Sequence, residues 1–194
     1  MIRILLSAAF CVGLLAANAF ADDPKADQAK MMEAMMKAAA INEHHKALEP
    51  LIGEWEVTTK FYMDPSQPPQ ESKGTASHKW AMGGRFVHEG VKGSFGGMEF
   101  EGAGVVGYDN MQECYVFAWI DNMGTMIEHG HGQLSADKKV LTMHHEELDP
   151  FTKKKAKGKD VTTFIDNDSF KTEFFRVEGD KETKMMEVIY ARKK

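Results

Sequence analysis

From Gly53 onward the chain alternates. Trp55, Val57, Thr59 and Phe61 share one parity, and Glu54, Glu56, Thr58 and Lys60 take the other. A period of two predicts a strand with one buried face. Comparable runs follow at 71–81, 85–95, 98–108, 113–121, 125–134, 139–148, 157–166, 169–177 and 183–192. Turn signals part them: Met82-Gly83-Gly84, Gly96-Gly97, Asp109-Asn110, Asn122-Met123-Gly124, Asp166-Asn167-Asp168 and Gly179-Asp180. Ten short strands with no helical period between them favour antiparallel neighbours. An up-and-down β-barrel removes the edges that such a meander otherwise exposes, and a two-sheet sandwich is the alternative. The longer connections are 65–69 and the basic stretch 153–157.

Residues 22–50 have another texture, rich in Ala, Lys, Glu and Met. Met31, Met32, Met35 and Met36 recur at helical spacing between Pro24 and Pro50, which predicts an N-terminal helix. Such a stripe packs as flexible apolar surface, or offers thioethers to a soft ion such as Cu(I). Residues 1–21 read as a secretory signal peptide: Arg3, an apolar run over 4–17, then Ala19-Phe20-Ala21. The run is shorter than the ~20 residues a permanent membrane helix needs. Cys11 sits mid-run after Phe10, where a lipobox cysteine does not. The expected organisation is therefore a signal peptide (1–21), a Met-rich helical segment (22–50) and a barrel (51–194), exported to the periplasm or beyond.

Composition narrows the function classes. The 194 residues carry a net charge of −5, are 27% charged, and include 17 Gly against 6 Pro. An acidic balance argues against a nucleic-acid partner. Once the leader is removed only Cys114 remains of the two cysteines, so no intrachain disulfide supports the domain.

Specific motifs add a resemblance. HKALEPLIGEWEV places Gly53-Glu54-Trp55 at the start of the first strand, similar to the Gly-x-Trp opening of calycin-type barrels, the lipocalins and their relatives. GGRF at 83–86, EGAGVVGYDN at 101–110, YVFAWIDNMGT at 115–125, DPFTKK at 149–154 and the closing MEVIYARKK resemble, in order, the bacterial family called domain of unknown function 1579. The match spans 42–194. It implies a lipocalin-like barrel whose tryptophan plugs the closed end, and it implies no activity. Ten-stranded haem barrels of the same structural neighbourhood ligate iron through a His near the chain end, whereas no His follows His145 here.

Candidate chemistry lies on the predicted strands. Trp80, His88, Tyr115 and Trp119 are the expected lining groups of a pocket for a small apolar or amphipathic molecule, with His88 as its polar anchor. His129-Gly130-His131 puts two imidazoles on one strand face, and His144 or His145 joins them according to the hairpin register. Three such rings form a divalent zinc or copper set, or an exposed His group on an acidic surface. His78 and His88, near Trp80 and Phe86, read as lining residues before general bases. No G-x-S-x-G occurs, Cys114 sits in a strand context, and Gly96-Gly97 lacks the Lys-Ser/Thr of a phosphate loop. A non-catalytic binding barrel is the first expectation, a His-based metal protein the second, and a haem or enzyme-type calycin the third. The cofactor and oligomeric state stay open.

Overall fold

The computed structural model describes residues 24–64, 66–149 and 152–194, so the expected signal peptide lies outside the described residues. The described residues fall into two units that divide between Lys37 and Ala38. In the first, α1 (Pro24–Ala38) carries Met31, Met32, Met35 and Met36, each more than half exposed. None of the described helices is long and apolar enough to cross a bilayer.

The second unit is a closed ten-stranded antiparallel barrel in which every strand pairs with its sequence neighbours and β1 pairs with β10. The strands are β1 (Gly53–Phe61), β2 (Gln70–Ala81), β3 (Phe86–Phe95), β4 (Met98–Asp109) and β5 (Cys114–Asp121), followed by β6 (Glu128–Leu134), β7 (Val140–Leu148), β8 (Lys155–Asp166), β9 (Ser169–Glu178) and β10 (Lys181–Arg192). The expected barrel is therefore the observed one, and a sandwich is excluded. β8 begins within the stretch read as a basic loop, because Lys155 and Lys157 pair with Leu148 and Glu146.

The helical segment does not run unbroken to Pro50. It ends at Ala38 and resumes as α2 (Glu43–Lys46) and a 3-10 turn at Glu49–Leu51. The physical reason is competition for carbonyls. Asn110 Nδ2 donates to the Ala38 and Ala40 oxygens, and Arg85 Nε donates to Ala39 O. Asn42 then caps α2, its side chain accepting from His44 N at 3.0 Å while its own N–H donates to His45 Nδ1.

This 42–52 segment closes one end of the barrel. Leu48 and Leu51 are buried there with Trp55, Val87, Tyr115, Leu141, Phe164, Phe170 and Tyr190. The Trp55 indole N–H donates to Leu51 O at 3.0 Å, and the Arg192 guanidinium carbon lies 4.3 Å from its ring centroid. Gly53 makes that cover possible. Its φ is 149°, and a Cβ there would overlap the guanidinium, which donates to Ile52 O. The Gly-x-Trp pair thus has a steric meaning here.

At Gly132, β6 and β7 approach so closely that a Cβ would overlap the Thr142 carbonyl. Backbone yields less readily than a flexible side chain. Gly132→Ala is expected to cost about 1–3 kcal/mol, read as a lowered urea midpoint with an unchanged slope.

Candidate functional site

The register determines what faces inward. Because Trp55 pairs with Ala76 and Arg192, the parity it sets runs round the barrel through every pair. The inner face then carries His78, Glu89, Val91, Phe117, Trp119, Glu128, His145, Asp160, Phe174 and Met186. Several of these, including Glu89, Val91, Phe117, Trp119 and Met186, keep part of their surface accessible although they point into a closed cylinder. They form the inner wall of the barrel without being fully buried, and Val91, Phe117 and Met186 also pack against the buried core.

Of the expected lining groups, Trp119 stands in that wall. Its ring lies over Gly102 and Gly104, whose missing side chains make room for it, and its N–H donates to Asp121 at 3.0 Å. Tyr115 also points inward but belongs to the sealed end, 1% exposed, its hydroxyl donating to His44 O; burial pushes that hydroxyl up to about 12. Trp80 is bound to the same end. Its N–H donates to Glu49 at 3.0 Å, and it lines a groove of ≈440 Å³ with Ile41, Lys46, Glu49, Gly83 and Gly84.

His88 is not a lumen residue. It pairs with Lys79 and Val105 on the outer face and is exposed. The four-residue turn 82–85 joins Ala81 to Phe86, so even positions of β2 share a face with odd positions of β3. That register turns Glu89 inward instead, opposite His78 and Gly104. Glu89 makes no hydrogen bond or ion pair among the described residues, and burial raises its carboxyl to about 7. Beside it, His78 is 2% exposed and bonds to Leu51 O at 3.1 Å, which leaves Nε2 without a partner. Burial lowers its pKa to about 4. Burial, then Glu89, pushes the Tyr190 hydroxyl upward.

The register gathers the surface His set on the outer face. His131 pairs with His144, and both, with His129, are exposed on the outside. Among the described residues their donor atoms form no converging group. His145 takes the other face. There it meets Glu128 (Nδ1 to Oε1, 3.2 Å) and Asp160 (Nε2 to Oδ1, 3.4 Å). Burial alone would lower the His145 pKa, but Asp160 and Glu128 bring it above its ordinary value. Burial lifts Glu128 to about 6.

The end opposite the plug is framed by 62–64 and 66–69, 96–97, 122–127, 152–154 and 179–180. Its rim exposes Met63, Met98, Met123, Met126 and Ile127.

The model of a family described as protein of unknown function, DUF1579, matches residues 41–192. The crystal structure of Rv2717c from M. tuberculosis is similar, with a TM-score of 0.52 and 17% identity over 80% of this chain and 100% of that one. So is the S-type phycobiliprotein lyase CPES from Guillardia theta, with a TM-score of 0.52 and 10% identity over 82% and 97%. At such identities the likeness shows the barrel alone. No curated protein matches.

Proposed function

The chain belongs to the DUF1579 family, and from that premise we propose that it is an exported barrel that holds one small apolar or amphipathic molecule in its lumen without turning it over. The observation that carries the reading is the wall itself. Val91, Phe117, Trp119 and Met186 present accessible apolar surface inside the cylinder, and Glu89 holds an unpartnered carboxyl among them. An unpartnered carboxyl that keeps accessible surface on this wall is a natural anchor for a ligand's polar end.

Burying ~200 Å² of ligand at about 25 cal/mol/Å² gives roughly 5 kcal/mol before ordering costs. That suffices for useful affinity with one polar anchor. The Met-lined rim offers soft, adaptable surface at the entrance.

The test is a titration with N-phenyl-1-naphthylamine, an uncharged apolar fluorophore. Saturable one-to-one binding is expected, with energy transfer from tryptophan. Val91→Trp, which fills the wall at an accessible position, should weaken it at least tenfold while the fold by circular dichroism is kept. Unsaturable binding, or binding indifferent to Val91→Trp, would overturn the proposal.

A further inference from the structure

We propose that Glu128, His145 and Asp160 form a binding site for one divalent transition-metal ion inside the barrel. The inference is independent of the organic ligand and uses residues other than the exposed His129, His131 and His144.

The site is built by three adjoining strands. His145 on β7 stands directly opposite Gly130 of β6 and Gly158 of β8. Glu128 precedes Gly130 by two residues and Asp160 follows Gly158 by two, so the acids reach the ring diagonally from its two sides. Glycine at 158 is what admits the imidazole: a Cβ there would overlap the His145 ring, whereas one at Gly130 would overlap the His144 carbonyl and press on the Phe117 ring. The sequence thus leaves space for this ring where a side chain at 158 would otherwise stand.

The donors converge. One atom from each of the three residues lies within 4.8 Å of the others. An ion about 2.0–2.2 Å from each nitrogen and oxygen donor draws the set closer by roughly an ångström, a shift within the range of a glutamate side chain. The His145 side chain is only 8% exposed, and its Nδ1 has no aligned hydrogen-bond partner, nor has Asp160 Oδ1. Both sit at ion-pair distance but off hydrogen-bond direction. Two unsatisfied polar atoms in one buried place, Nδ1 beside Glu128 and Asp160 Oδ1 beside Nε2, call for a shared positive centre.

Charge selects the class of ion. Two carboxylates with a neutral imidazole carry two negative charges, and a divalent ion makes the buried ensemble neutral, which burial favours. One nitrogen and two oxygens suit Zn²⁺, Co²⁺, Fe²⁺ or Mn²⁺ better than the all-oxygen cages of Ca²⁺. Asp121 and Glu147 lie near enough to act on Glu128 and add to the negative field that draws a cation in. Three protein ligands leave a coordination position free for water or a guest.

The experiment titrates Co²⁺, then Zn²⁺, into the full chain in chelator-treated buffer, followed by cobalt absorption and calorimetry. One equivalent should bind. His145→Gln should lose more than the ~10–100-fold in affinity that removal of an outer-shell partner costs, and the near-isosteric Asp160→Asn should weaken binding in the same direction. The variant carrying His129→Asn, His131→Asn and His144→Asn should bind as the parent does. Urea midpoints establish that each variant is folded; should His145→Gln fail to fold, Asp160→Asn decides. Absence of saturable binding to the parent chain, or binding lost in the surface variant and kept in Asp160→Asn, would overturn the site.

Discussion

Trp55→Ala is expected to lower the unfolding free energy by about 3–5 kcal/mol, the range for removing a large buried aromatic. Trp55 is 1% exposed, meets Phe170 edge-on with centroids 4.9 Å apart, and supports Arg192 on its other side. The variant opens a void where the 42–52 segment meets the strands and leaves Arg192 without its platform. Trp55→Phe keeps most of the apolar area and loses the bond to Leu51 O, so its cost should be nearer ~1–2 kcal/mol. Since domains of this kind have only ~5–15 kcal/mol in total, the alanine variant should melt far earlier. Urea unfolding measures both. A loss below 1 kcal/mol for Trp55→Ala would mean that the indole does not seal the barrel.

Glu89→Gln should raise stability at pH 8 and leave it nearly unchanged at pH 4. In the folded chain the Glu89 carboxyl titrates near pH 7, against an ordinary value of 4.5. Between those values the native state keeps a proton that the unfolded chain gives up, so this group's contribution falls as pH rises through the window. His78 acts in the opposite sense. Its folded value near 4, against 6.5, means that the unfolded chain binds the extra proton, and stability from this group rises with pH between 4 and 6.5. The two slopes oppose each other over most of their range. Glutamine removes only the first, and comparison of variant with parent isolates it. A shift from 4.5 to about 7 corresponds to at most ~3 kcal/mol at 1.36 kcal/mol per unit; because Glu89 keeps some accessible surface, about 2 kcal/mol is expected. Equal differences at pH 4 and pH 8 would show that Glu89 ionises normally.

The strands were legible because each has one apolar parity, and the Gly-rich turns between them carry their own chemistry. What parity does not say is which face looks inward. That depends on turn length and pairing, quantities that a one-residue slip reverses. His88 and Glu89 show the consequence: adjacent residues, one outside and one in the lumen, exchanged by the register of a single hairpin. His144 and His145 repeat it at the next His pair: the register puts His144 outside, opposite His131, and turns His145 inward between the acids Glu128 and Asp160. Those acids look like ordinary surface charges in sequence. Only the glycines at 130 and 158, each opposite a bulky ring, hint that the strand face between them is crowded. The helix break at Ala38 was hidden for a related reason, since the side chains that take its carbonyls, Arg85 and Asn110, are distant in sequence.

The central claim is a hollow barrel whose inner wall receives a guest. Diffraction from crystals grown with N-phenyl-1-naphthylamine tests it most directly. Density for one molecule is expected inside the cylinder, against Val91, Phe117 and Trp119 and with its amine towards Glu89. A fluorophore seated on the outer face or in the Trp80 groove, with the interior filled by side chains, would contradict it.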